Sequence, residues 1–118
     1  MLDYKETLRR LSLNDESFVE SVLGMGCDTV EVSQLGAKTH ALVRLGASLA
    51  IDAAPSSYHA NAEMALAAGA SIDEIVGTLI AVAPTVGLTR VVSAAPELGL
   101  ALGYDVQAAL ETPDEALA

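Results

Sequence analysis

A helix that is apolar on nearly every side is predicted in the second half of this 118-residue chain. A capping box marks its start, because the Ser71 hydroxyl and the Glu74 carboxylate can each accept a hydrogen bond from the other residue's backbone N–H. Residues 75–89 carry no charged side chain. Apolar residues cover most sides of the predicted helix: Ile75, Val76, Leu79, Ile80 and Val82. Such a helix belongs in a core or in an interface between subunits.

Helical signals recur along the rest of the chain and predict an all-α fold of about six helices. The predicted helices cover residues 2–11, 15–23, 37–52, 55–68, 72–83 and 88–102, with a short turn over 105–111. Asn14 is expected to cap the second helix, and residues 24–26 are expected to stop it. Pro84 is expected to end the fifth helix, and Pro96 to kink or restart the sixth. Since only 3% of the residues are aromatic, close packing of small and aliphatic side chains must fill the core.

The chain is long enough for one ordinary domain and too short for two. We divide it into an N-terminal helical segment over residues 1–35, a core helical domain over 36–103, and a short turn and tail over 104–118. The end of the tail, residues 112–118, is expected to fray.

Acidic residues outnumber basic ones by 16 to 6, which gives a formal net charge of −10. This charge disfavours nucleic acid and anionic membranes as partners. The uncharged stretch is shorter than the roughly 20 residues that a membrane-spanning helix needs. A single cysteine, Cys27, cannot form an internal disulfide, and no signal peptide is recognised. We therefore expect a soluble cytoplasmic protein.

Residues 42–47 (Leu-Val-Arg-Leu-Gly-Ala) and 65–75 (Ala-Leu-Ala-Ala-Gly-Ala-Ser-Ile-Asp-Glu-Ile) resemble the carboxymuconolactone decarboxylase family, which includes alkyl hydroperoxidase D. The resemblance covers residues 36–103, and the join between two helices at residues 67–75 is its most specific part. It implies a small helical core domain that assembles through apolar helices into dimers, trimers or hexamers.

The redox branch of that family carries Cys-x-x-Cys-x-x-x-His at the start of one helix and a Glu one helix earlier. In this chain the two cysteine positions fall on Ala54 and Ser57, the histidine position on Asn61, and the glutamate position on Ala41 or Leu42. A thiol peroxidase needs a nucleophilic thiolate and a resolving partner. The redox activity is therefore not expected, whereas a decarboxylase-like or lyase-like activity without metal, cofactor or thiol chemistry stays open.

His40, Arg44 and Ser48 lie four residues apart and form one polar stripe along an otherwise apolar helix. A solvent-facing stripe is the favoured interpretation, because amphipathic helices are built in this way. The alternative places the stripe on the wall of a cleft. There Arg44 would bind a carboxylate through two hydrogen bonds, and His40 would move a proton as a catalytic residue.

Ser57 and Asn61 share a helix face and occupy two of the positions that the resemblance assigns to the site, so both are candidate catalytic residues. Ser57 has a structural alternative, which is to satisfy a free backbone N–H at the start of its helix. Tyr58 is a candidate ligand-binding residue, with packing in the core as its alternative.

His59 and Glu63 are also four residues apart and could form an acid–base pair or bind a metal. At about 100° per residue they lie about 160–200° from Asn61, and two ligands are too few for a metal site. A surface ion pair is the favoured interpretation, and no metal site is expected. Cys27 is expected to be a lone thiol in a loop.

Two functions follow from these observations. The first is the binding or transformation of a small carboxylate or lactone in a pocket at a subunit interface. The second is a non-catalytic homo-oligomeric building block whose ancestral cleft has been filled. In both cases the chain itself is the expected macromolecular partner, since its apolar helices exceed what one small domain can cover.

Overall fold

The computed structural model describes residues 3–23 and 30–111 and confirms the all-α class, since every regular element in these residues is an α-helix. The helices are α1 (Tyr4–Ser12), α2 (Glu16–Leu23), α3 (Val30–Ser33), α4 (Ala37–Ala50), α5 (Pro55–Ala67), α6 (Ile72–Val86), α7 (Leu88–Ala101) and α8 (Val106–Leu110). They form two compact units, divided between Gly36 and Ala37. The second unit contains α4 to α8. Residues 24–26, Cys27 and residues 112–118, for which the sequence made predictions, lie outside the described residues.

Helix starts follow the capping signals of the sequence, with one correction. The capping box of α6 is formed, because the Glu74 backbone N–H donates to the Ser71 hydroxyl over 3.0 Å and the Ser71 N–H donates to the Glu74 carboxylate over 2.9 Å. The expected cap of the second helix was wrong. Asp15, not Asn14, accepts a hydrogen bond from the Phe18 backbone N–H. Asn14 instead has a φ of +53°, a left-handed conformation that Asn tolerates better than most residues.

Both prolines lie inside helices, which corrects the expectation that Pro84 ends the fifth helix and excludes a restart at Pro96, one of the two outcomes expected there. α6 continues past Pro84 to Val86, and α7 runs through Pro96 without restarting. A proline removes the hydrogen bond to the carbonyl four residues earlier. Those carbonyls belong to Ile80 and Val92, residues that are 70% and 62% exposed.

The core of the second unit lies where α4 meets α5, α6 and α7. Its largest fully buried side chains are Leu45, Leu49, Ile75 and Leu98. Small residues bring the helices close together, as expected for a chain poor in aromatic residues. A Cβ atom added to Gly46 on α4 would lie 3.1 Å from Val82 Cγ1 on α6. α4 is therefore surrounded by neighbouring helices on several sides.

Apolar side chains also remain exposed on the second unit. Ile72, Val76 and Ile80 follow one another at four-residue intervals along α6, and all three are exposed. α6 is thus only partly covered, although it is apolar on nearly every side. None of the described helices combines the length and the hydropathy that crossing a membrane requires.

Candidate functional site

A cavity of about 350 Å³ opens between α4 and α5. The two helices are joined by the four residues 51–54 and pack along each other, which makes them a helical hairpin. The lining comprises Arg44, Ala47, Ser48, Ile51, Ala53, Ser57 and Asn61. The α4 members lie at spacings of three and four residues, so they form one face of that helix.

The lining residues form three levels along the hairpin. Arg44 and Asn61 are equally far along the chain from the middle of the connection, as are Ser48 and Ser57. Because two helices joined by a short connection run in opposite directions, such pairs lie at similar heights along the hairpin. The cavity therefore has a level with a cation and an amide, a middle level with two hydroxyls, and an apolar level formed by Ile51 and Ala53.

Ser48 is buried, at 7% exposure, and its hydroxyl donates a hydrogen bond to the Leu45 carbonyl over 2.6 Å. Ser57 lies in the first turn of α5, with its backbone N–H bonded to the Ala54 carbonyl over 2.8 Å. The N-cap residue of α5 is Ala54, which has no side-chain acceptor for the first N–H groups of the helix.

The favoured interpretation of the polar stripe on α4 was wrong. His40 and Ser48 are both buried, and Arg44 is half-buried, so the stripe does not face solvent. The physical reason is that α4 packs against α5, α6 and α7, which cover this face of the helix. Arg44 and Ser48 line the cavity, whereas His40 is buried one turn earlier and is outside the lining.

Tyr58, the second residue expected to bind a ligand, lies in the core and is not part of the lining. Burial raises the pKa of its hydroxyl, and the Asp52 carboxylate adds to this increase. The hydroxyl therefore stays protonated at neutral pH. Its neighbour Ser57 lines the cavity, since successive residues of a helix point about 100° apart.

His59 and Glu63 are exposed on α5, on a different face from the cavity lining. Both residues are at the surface, as predicted. No ion pair joins them in the described part of the chain, so the predicted pairing was wrong. Within the same residues, no group of three or more His, Cys, Asp or Glu side chains is placed to hold a metal ion.

Sequence reasoning did not identify Ala47, Ile51 and Ala53 as site residues. The signal for Ile51 is its position seven residues after Arg44, which returns to the same helix face. Ala53 could be found only once α4 and α5 were known to fold back on each other.

A second, apolar recess of about 420 Å³ lies between α4 and α6. Its lining comprises Thr39, Leu42, Val43, Gly46, Ala47, Thr78, Ala81 and Val82. Ala47 lines both the recess and the cavity, so the two are neighbours on the surface of α4.

A sequence model of the carboxymuconolactone decarboxylase family matches residues 17–98, which is more than half of the chain. The matched segment contains both walls of the cavity. No curated protein and no solved structure matches the chain with significance.

Proposed function

The chain belongs to the carboxymuconolactone decarboxylase family, and on that premise we propose that it binds or transforms a small carboxylate or lactone in the cavity between α4 and α5. The observation that carries the proposal is the position of Arg44. It is the only charged side chain that lines the cavity among the residues that the structure describes. Family membership alone does not assign a reaction, so the proposal rests on this site.

The other two basic residues of the second unit, Lys38 and Arg90, lie outside the cavity lining. Lys38 forms an ion pair with Glu74 over 3.0 Å, and Arg90 donates a hydrogen bond to the Ala50 carbonyl at the end of α4. Arg44 therefore supplies the positive charge at the cavity. A guanidinium group binds a carboxylate through two parallel hydrogen bonds, and the half-buried position strengthens that attraction relative to bulk water.

The rest of the lining suits a small organic acid. Ser57 and Asn61 offer hydrogen bonds, while Ala47, Ile51 and Ala53 offer apolar surface, which is the usual composition of a small-molecule site. In a transforming reaction, Arg44 and Asn61 would stabilise negative charge that develops on a substrate oxygen. A second subunit seated on the apolar recess would reach the mouth of the cavity near Ala47, which supports a pocket at a subunit interface.

Calorimetric titration of small monocarboxylates, dicarboxylates and muconolactone-like acids tests the proposal. The native chain is expected to bind at least one of these acids, and Arg44→Ala is expected to weaken that binding at least about tenfold. Lys38→Ala is the matched control, because it removes one positive charge from the same helix outside the cavity. Absence of binding to the native chain would overturn the proposal, and so would equal losses in the two variants.

We also expect no cysteine-dependent reduction of hydroperoxides. Ala54 and Ser57 stand where the redox branch of the family has its two cysteines, so no thiol pair is available there. Peroxide consumption with a dithiol donor should be the same for the native chain and for Cys27→Ser. A substantial turnover that is lost in Cys27→Ser would contradict this prediction and would make Cys27 the reactive group.

The second candidate is a non-catalytic homo-oligomeric building block, and the exposed apolar side chains favour it. Ile80 on α6 and Leu88 on α7 are each at least 70% exposed. Exposed apolar side chains grouped on neighbouring helices are typical of protein–protein contacts. Under this hypothesis the chain would assemble, and no carboxylate would bind with an affinity that depends on Arg44.

A further inference from the structure

The three levels of the cavity define an order of chemical groups along any ligand that fills it. The charge of Arg44 lies at one end, the two serine hydroxyls lie in the middle, and the apolar residues lie at the end nearest the connection. Arg44 and Ser48 are four residues apart on α4, so their Cα atoms differ in height by about 6 Å. A matching ligand carries its charge at one end and an oxygen several bonds away.

Ser48 determines whether the ligand oxygen beside it can be a hydroxyl or a carbonyl. Its only hydroxyl hydrogen is donated to the Leu45 carbonyl, so the oxygen presents lone pairs to the cavity. These lone pairs can accept a hydrogen bond from a ligand hydroxyl. A ligand carbonyl oxygen is itself an acceptor, so it forms no hydrogen bond with them. Because Ser48 is buried, a carbonyl placed there would lack a donor from this residue unless the bond to Leu45 were broken.

Ser57 does not make the same distinction. A serine hydroxyl in the first turn of a helix can rotate to donate or to accept. It can therefore bond a hydroxyl or a carbonyl oxygen of the ligand. Discrimination between the two groups depends on Ser48, while Ser57 adds affinity for both.

Building on the proposed function, we infer that the preferred ligand is a monoanionic hydroxycarboxylate with its hydroxyl several bonds from the carboxylate and a short apolar end. The carboxylate bonds Arg44 and Asn61, the hydroxyl donates to Ser48, and the apolar end contacts Ile51 and Ala53. A dicarboxylate would place its second charge at the hydroxyl or apolar level, where the lining has no second cation among the described residues. A neutral lactone lacks both the carboxylate that would bond Arg44 and the hydroxyl that would donate to Ser48.

Matched five-carbon compounds test this inference by calorimetry at neutral to mildly alkaline pH: 4-hydroxypentanoate, 4-oxopentanoate, pentanoate, pentanedioate and the neutral lactone of the hydroxy acid. 4-Hydroxypentanoate is expected to bind about fivefold or more tightly than 4-oxopentanoate. Pentanedioate and the lactone are expected to bind more weakly than 4-hydroxypentanoate.

Two serine variants separate the roles of the hydroxyls. Ser48→Ala should remove the preference for hydroxyl over oxo, so that 4-hydroxypentanoate and 4-oxopentanoate bind with similar affinity. Ser57→Ala should weaken both oxygenated acids while keeping their ratio. Alanine is favourable within α-helices, so neither change should disturb the hairpin.

The outcomes are distinguishable from those that test the proposed function. If none of the acids binds, the carboxylate site itself is refuted, and this inference fails with it. If the acids bind through Arg44 but the hydroxy and oxo acids bind equally, only the inference is overturned. The inference is likewise overturned if pentanedioate binds most tightly, or if the hydroxyl preference survives in Ser48→Ala.

Discussion

In solution the chain is expected to form an assembly of at least two subunits, and Ile80→Asp is expected to reduce it to a single chain of 12.1 kDa. Ile80 is 70% exposed and continues the exposed apolar row that begins at Ile72 and Val76. The chain carries a net charge of −10, so copies can approach closely only through surfaces that lack acidic groups. An aspartate within such an interface would be desolvated without a partner and would repel its neighbours. Light scattering coupled to gel filtration at micromolar protein measures the mass directly.

Leu110→Asp is the matched control for this prediction. Leu110 is 68% exposed, and it lies on α8, outside the apolar helices α6 and α7 that are expected to form the interface. The substitution adds the same charge at a similarly exposed apolar position and should leave the assembly intact. A native mass of one chain would refute the assembly, and dissociation by both variants would show that net charge, not the α6 surface, controls it.

Much of the fold could be predicted because local signals mark where its helices begin and end. The capping box at Ser71 and the glycine at Gly69, with a φ of +97°, act within one helical turn and depend little on the rest of the chain. Pro84 and Pro96 could not be interpreted in the same way. Their cost depends on whether water reaches the carbonyl one turn earlier, and that exposure is set by tertiary packing.

The candidate site was only partly predictable for the same reason. The four-residue spacing places Arg44 and Ser48 on one face of α4, but it does not say whether that face meets solvent or another helix. The answer depends on how many helices pack around α4. Ser57 joins the same cavity only because residues 51–54 fold α5 back along α4.

Leu45→Ala is expected to lower the free energy of unfolding by about 2–5 kcal/mol, the usual range for truncating a fully buried leucine. Leu45 is 0% exposed and lies beside Arg44 on α4, the helix that contacts α5, α6 and α7. The substitution removes apolar contacts and leaves a void that rigid neighbouring helices fill only partly. Urea denaturation followed by circular dichroism measures the change. Protein concentration must be held fixed, because assembly also stabilises the folded chain.

Leu110→Ala removes the same atoms from a side chain that is 68% exposed, so it should change the free energy of unfolding by no more than about 0.5 kcal/mol. The difference between the two changes in the free energy of unfolding measures the effect of burial, because both variants lose the same atoms. Since the Ser48 hydroxyl donates to the backbone carbonyl of Leu45, the same turn of α4 forms part of the core and part of the cavity wall. Equal losses in the two variants would mean that α4 is not the centre of the core, and the levels of the cavity would lose their structural basis.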